Sequence, residues 1–484
     1  MADNQLKKQT ISGLVWKFAE RIGAQATSLV VSIVLARLLM PEDYGAIALI
    51  TIFISICDVF LVNGLSSPLI QKKNADSCDF STIFYCSLVL SIVLYTFIYL
   101  SAPLVASFYN MEILSPALRI LSIRVIFSSI SSVQNAYVSK HMLFKKFFWG
   151  TIIGTIVSGL IGIYLAYCGY GIWALIMQQL VMSFINMMVI FFLIDWRPTM
   201  EFSIKRFKVM WSFGWKILVA AMFNELFQDI RAILIGKVYT KQDLAYYNQG
   251  NGYPQLVVSN VNASIVSVLF PAISQIQDKY SDVKNFVRRS VKTSSFMLVP
   301  LLYGLSAVAN PFVSLVLTDK WLPSVPYIQI MCFALSFAPV SAISQQAIKA
   351  IGRSDITMKQ EIIKKTLGLL IIIISVQISV FAIVIGTAIT EFWFFLVNTY
   401  PCKKVLGYKY REQFMDLAPN LIISFIMSIC VYLFGYFFGV SWTIFALQIL
   451  IGGVVYIMLA FVTKNESMNY LLHSLGNLKN KQIV

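Results

Sequence analysis

The chain has little charge, almost no histidine and no paired cysteine motif. Of its 484 residues, 12% are charged and two are His. A soluble domain carries about 25% charged and about 45–50% apolar residues. Here 58% are hydrophobic, and mean hydropathy is +0.75. A soluble enzyme of this length is excluded. The seven Cys contain no C-x-x-C pair. Cys57, Cys86, Cys168, Cys332 and Cys430 lie in or beside apolar runs, and Cys78 and Cys402 in basic loops. Neither a disulfide framework nor a zinc site is indicated. His141 and His473 are far apart, so no metal ligands are assigned and no cofactor is expected. No G-x-x-x-x-G-K-[ST] run occurs, so the chain carries no P-loop of its own.

What is present is apolar length. A membrane-spanning helix needs about 20 apolar residues, and fourteen of them would use about 280. The expected helices are 11–38, 43–64, 80–102, 113–138, 147–168, 171–194, 209–235, 242–271, 291–313, 325–350, 361–381, 383–400, 415–437 and 441–463. The first run, Ile11 to Leu39, is longer than a signal-peptide core and lacks a small-x-small cleavage site. It reads as an uncleaved first helix. Too little chain remains for a soluble domain. The longest outer loops, 103–112 and 314–324, are short for external catalysis, so no enzyme is expected.

Charge orients the helices. Formal net charge is +16, from 38 Lys+Arg against 22 Asp+Glu. With the N-terminus inside, 28 of the 38 basic residues fall in cytoplasmic segments, four outside and six within helices. Cytoplasmic loops are enriched in Lys and Arg, and the alternation holds for every loop. Both termini are therefore expected in the cytoplasm. The basic excess is a topology signature and needs no nucleic acid.

The sequence also hints at a repeat. Arg37 to Asp43 (RLLMPED) aligns with Lys237 to Asp243 (KVYTKQD) at an offset of 200. Ala102-Pro103-Leu104-Val105 resembles Asn310-Pro311-Phe312-Val313, and Gln134-Asn135-Ala136 resembles Gln345-Gln346-Ala347. Six helices repeated, then two extra, would place a pseudo-axis along the membrane normal, with a cleft and alternating access. The expected fold class is an all-α integral membrane protein. Its divisions are an N-lobe 1–194, a cytoplasmic linker 195–208, a C-lobe 209–400, two further helices in 401–463 and a tail 464–484.

Six cations lie within helices: Lys17, Arg21, Arg119, Arg124, Lys216 and Arg231. Each costs about 2.5–3.5 kcal/mol at a helix centre if it faces lipid. Lys17, Glu20 and Arg21 share one helix face at i, i+3, i+4. They form either an ion pair joining helices or a cationic wall that receives phosphate. Arg21, Arg124, Lys17 and Lys216 are the candidate anion contacts. Glu225 and Asp229, at i, i+4, and Asp58 are candidates for coupling to H+ or Na+, unless neighbouring cations neutralise them. The eighth helix is rich in amides and tyrosines. Tyr247, Asn248, Asn251 and Asn260 suit hydrogen bonding to sugar hydroxyls, or to neighbouring helices.

Several stretches resemble one family. They are Trp16-Lys17-Phe18, Leu35 through Gly45 (LARLLMPEDYG), Asn63 through Gln71 (NGLSSPLIQ), Val268 through Ser274 (VLFPAIS) and Lys320 through Pro326 (KWLPSVP). Together they resemble the Wzx-like polysaccharide transport family of the MATE-like (MOP) superfamily. These are flippases of lipopolysaccharide, exopolysaccharide and teichuronic-acid pathways. The resemblance spans about residues 8 to 465. It implies a V-shaped pair of six-helix lobes in the bacterial inner membrane. It implies that undecaprenyl-pyrophosphate-linked oligosaccharide moves from the inner to the outer leaflet. The last two helices, by analogy with lipid II flippases, hold the polyprenyl tail. A polymerase or glycosyltransferase is a candidate partner alongside membrane lipid. One departure stands out: many relatives have Asp-x-Gly-Leu near the end of helix two, where this chain has Asn63 before Gly64-Leu65. The competing readings are a MATE-type drug or cation exporter, a peptidoglycan-precursor flippase, and a membrane glycan polymerase or ligase.

Overall fold

The computed structural model describes residues 23–72 and 75–470, without the side chains at 144, 263, 264, 266–268, 270, 271 and 354. Lys17, Glu20 and Arg21 lie outside the described residues. The rest is helical. We number the helices α1 Gly23–Leu38, α2 Pro41–Gln71, α3 Ser77–Tyr109, α4 Leu114–Lys140, α5 Phe144–Tyr167, α6 Ile172–Leu193 and α7 Ile204–Val238. They continue as α8 Lys241–Gln275, α9 Tyr280–Ala307, α10 Asp319–Ala350, α11 Ser354–Ser375, α12 Val380–Val405, α13 Tyr410–Phe438 and α14 Trp442–Val462. Each expected segment overlaps one of these.

Nine described helices are long and apolar enough to cross a membrane, and a tenth if α9 is joined to Ala309–Leu317 across a 71° bend. The remaining helices have identifiable shortfalls. The described part of α1 is short. Helices α7, α8 and α11 carry the densest charges and amides. The apolar surface supports membrane residence: Phe97 is 70% exposed, Leu104 73% and Phe437 75%. Rings and aliphatic chains at that exposure are costly in water and comfortable in lipid. The chain is a multi-pass membrane protein.

Local chemistry explains where helices start. Met40 N–H donates to Asp43 Oδ2 at 3.2 Å, and Pro41 fills the first turn, where no N–H is needed. Thr240 N–H donates to Asp243 Oδ2 at 3.2 Å, while Asp243 N–H donates to Thr240 Oγ1 at 3.1 Å. The same acid thus closes the first turn of α2 and of α8, 200 residues apart. The repeat seen in the sequence has a structural counterpart there. It recurs in α4, broken at Ser122, and α10, broken around Ser336 and Phe337. At the start of α3, Asp76 and Asp79 exchange cap hydrogen bonds of 3.0 and 3.2 Å.

Two compact units emerge, one of residues up to Ala245 and one from Tyr246 onward. In the first unit α7 packs against α2, α3 and the π-helical turn Phe60–Ser66 within α2. Its apolar cluster joins Leu65, Phe80, Val133, Trp196 and Met210. In the second unit α9, α10, α12, α13 and α14 share a cluster that includes Val287, Ile343, Phe395, Leu417 and Tyr456. Asp416, 4% exposed at its side chain, ties α13 to α9 there. It accepts from Arg288 Nε at 2.7 Å and Nη2 at 3.0 Å, and Lys292 Nζ lies 3.3 Å away.

Candidate functional site

The first unit holds a polar network inside otherwise apolar helices. It is built from side chains on four of them. Arg124 leaves α4 near its middle, just after the break at Ser122. Its Nη1 donates to Gln179 Oε1 on α6 at 3.0 Å. Its Nη2 donates to Asp58 Oδ2 on α2 at 3.3 Å. Both charged side chains are about three-quarters covered. Arg124 Nε and Asp58 Oδ1 remain buried with no hydrogen-bond partner. On α7, Asp229 Oδ2 accepts from Ser55 Oγ of α2 at 3.2 Å. Glu225, one turn earlier on α7, interacts electrostatically with both Asp58 and Asp229.

The arrangement joins candidates that the sequence kept apart. Asp58 and Arg124 were expected in different roles, ion coupling and anion binding. In the structure they are partners. Arg124 is therefore one member of an ion pair, with its charge balanced by Asp58. An unpaired polar atom inside a protein costs about 1–3 kcal/mol, and Arg124 Nε and Asp58 Oδ1 each carry that cost.

The other cations differ. Lys216 is exposed on α7. Arg231, on the same helix, has Nε and Nη2 buried without a partner. The sequence counted Arg231 among the six helix cations but not among the anion contacts. Arg119 is held at a helix end: its Nε donates to Tyr99 O at 3.2 Å and its guanidinium stacks 4.4 Å from the Tyr99 ring. Gln179 and Ser55 were missed. Gln179 was findable as half of a Gln-Gln pair in an apolar helix, whereas Ser55 gave no signal.

The candidates on α8 fall in the second unit. Tyr247 is 5% exposed. Asn260 Nδ2 donates to Leu256 O of its own helix at 2.9 Å. Asn248 and Asn251 are half-buried. Tyr253 sets its ring edge-on to Phe312 at 5.1 Å and keeps its hydroxyl buried without a partner. Gly250 is needed on this helix, because a Cβ there would collide with the Tyr327 side chain.

A second feature of the later unit is an apolar groove of about 430 Å³ along α9, α13 and α14. Leu301, Leu305, Met427, Val431, Ile449 and Tyr456 line it. Gly453 leaves open space on α14, and Gly452 brings the helix close to Val431.

Fold and buried ion network together define an all-helical membrane protein of transporter type. The family described as "Polysaccharide biosynthesis protein" matches residues 34–326. The chain belongs to that family. It is 24% identical over 445 residues to "Lipopolysaccharide biosynthesis protein WzxC" of Escherichia coli (strain K12), covering 88% of each chain. It is 20% identical over 472 residues to "Succinoglycan biosynthesis transport protein ExoT" of Rhizobium meliloti (strain 1021), covering 94% of each. Among solved structures, "Lipid II flippase MurJ, inward closed conformation" superposes with a TM-score of 0.74 at 17% identity, over 93% of this chain and 98% of that one. An inward-facing MATE family transporter of the MOP superfamily superposes with a TM-score of 0.58 at 14% identity, over 81% and 99%. Those likenesses establish a MATE-like fold.

Proposed function

We propose that the protein is a flippase. It moves undecaprenyl-pyrophosphate-linked oligosaccharide from the cytoplasmic to the outer leaflet of a bacterial inner membrane, for cell-surface polysaccharide. Fourteen spans with both ends in the cytoplasm accommodate the charge alternation. The observation that carries the reading is the Arg124–Asp58 pair, set among apolar helices of a chain in a polysaccharide biosynthesis family. A pyrophosphate displaces Asp58 from Arg124, and Arg231 and Lys216 add charge on α7. The half-buried amides Asn248 and Asn251 meet sugar hydroxyls. The polyprenyl chain lies in the groove of α9, α13 and α14. Release of Asp58, close to Glu225 and Asp229, changes the affinity of the three acids for H+ or Na+, which couples substrate to ion. Access alternates between the two sides without covalent chemistry, so the glycan leaves unchanged and the protein is not an enzyme. Polymerases and glycosyltransferases are its functional neighbours.

A strain lacking the gene tests this. The expected result is accumulation of lipid-linked repeat units on the cytoplasmic leaflet together with loss of surface polysaccharide, both reversed by the gene. Normal surface polysaccharide with new sensitivity to cationic drugs would instead identify an exporter and remove the anion role of Arg124.

A further inference from the structure

The second unit holds a further cavity, separate in lining from the apolar groove. It occupies about 900 Å³ in the second unit, where the start of α11, the end of α12 and the start of α13 meet. Its mouth is basic. Arg353, Lys359 and Lys404 face Asp355, the one acid in the lining. Asp355 is already taken: Arg353 Nε and Nη2 donate to its two oxygens at 3.0 and 3.1 Å. Lys359 and Lys404 therefore have no carboxylate partner among the described residues.

The rest of the lining is largely apolar and aromatic. Trp393 and Tyr400 stand along α12, and Ile363 along α11. A helix rises 1.5 Å per residue, so Trp393 lies about 16 Å from Lys404 along α12. Cations near the helix ends, with aromatic and apolar side chains further along the same helices, match the polarity of a phospholipid from headgroup to chain.

Gln360 narrows the choice of headgroup. It lines the cavity and is 4% exposed. Its Nε2 donates to Val397 O at 2.7 Å, which fixes the amide orientation. Its Oε1 is buried with no donor. That oxygen needs a partner bearing a proton. A phosphate diester has none to give, and an ammonium headgroup would meet two free lysines. A hydroxyl satisfies both constraints. We propose that this cavity binds an anionic phospholipid with a hydroxylated headgroup, of the phosphatidylglycerol class, with phosphate on Lys359 and Lys404 and a headgroup hydroxyl on Gln360.

The test is titration of the purified, detergent-solubilised full chain by native mass spectrometry. The probes are phosphatidylglycerol, phosphatidic acid and phosphatidylcholine with identical acyl chains. Wild type is expected to bind phosphatidylglycerol about tenfold or more above phosphatidylcholine, since each lysine near a phosphate contributes several-fold. Lys359→Gln with Lys404→Gln should abolish that preference. Gln360→Leu should lower phosphatidylglycerol to the phosphatidic acid level while leaving phosphatidic acid unchanged. This variant carries the test if the double lysine variant does not fold. Equal binding of phosphatidylglycerol and phosphatidylcholine, or variants that bind as wild type, would overturn the proposal. So would displacement by inorganic phosphate at concentrations comparable to the lipid, which would mark a free-anion site. Equimolar displacement by undecaprenyl-pyrophosphate-linked oligosaccharide would equally overturn it and give the cavity to substrate. Lipid binding is read without transport, so the outcome stands apart from the flippase reading.

Discussion

Arg124 and Asp58 are 66 residues apart in sequence and 3.3 Å apart in space. Replacing Arg124 with Gln leaves Asp58 largely buried with no cation. The expected cost is about 1–3 kcal/mol, read as a lower thermal midpoint in detergent. Adding Asp58→Asn should recover most of it, because neither charge is then stranded, yet transport should fail in both variants. Equal destabilisation in the single and double variants would show that the pair is not coupled. A second residue-scale prediction concerns the start of α3. The Arg206 guanidinium, with help from the Asp79 backbone, holds the Asp76 carboxyl down at about 2. A depressed folded-state value means the pair stabilises above the ordinary aspartate range, and the contribution is lost as pH falls through about 2. Asp76 is half-exposed, so the effect at neutral pH is at most about 1 kcal/mol. Unfolding midpoints of wild type and Asp76→Asn should differ at neutral pH and converge towards pH 2. A gap that persists there would remove the charge explanation. The charged residues themselves were legible from composition. Their partners were not, because periodicity assigns a side chain to a helix face but not to a facing helix.

At the scale of elements, helix positions were legible and their irregularities were not. Apolar runs broken by basic loops located every segment. The π-helical turn Phe60–Ser66 inside α2 has no such signature. It is where α7 comes closest. A Cβ on Gly214 of α7 would run into the carbonyl oxygen of Gly64 and approach Pro68 Cγ at 3.0 Å. A Cβ on Gly64 would meet only Leu218 side-chain atoms from 3.5 Å, an ordinary contact. Gly214→Ala is therefore expected to destabilise by about 1–3 kcal/mol, while Gly64→Ala changes little. Thermal unfolding of the two variants decides it, and equal losses would contradict the packing account. π-turns cluster at functional sites. This one directly follows the turn of α2 that carries Asp58. The caps of α2 and α8 show the opposite case: Asp43 and Asp243, aligned in sequence, perform the same hydrogen bond.

For the whole molecule, composition and loop charge identified a helical membrane protein before any contact was known. Those properties sum over hundreds of residues and tolerate local error. The site was less legible. Tyr247, expected to face sugar, is packed away, and Asn260 bonds its own helix. The unpartnered donors of Arg231 and the bond from Arg124 to Gln179 became visible in the structure. An amide-rich helix signals polarity without saying which amides are already satisfied. A flippase of this kind moves a lipid-linked glycan across a bilayer unchanged. The direct measurement uses proteoliposomes containing the purified protein and labelled undecaprenyl-pyrophosphate-linked oligosaccharide, with a glycan-modifying reagent that cannot cross the membrane. With wild type, glycan initially in the inner leaflet should become modified over time, while Arg124→Gln vesicles retain a protected pool. A protected pool equal to that of protein-free vesicles, with folded wild-type protein present and an ion gradient of either H+ or Na+ applied, would contradict the claim.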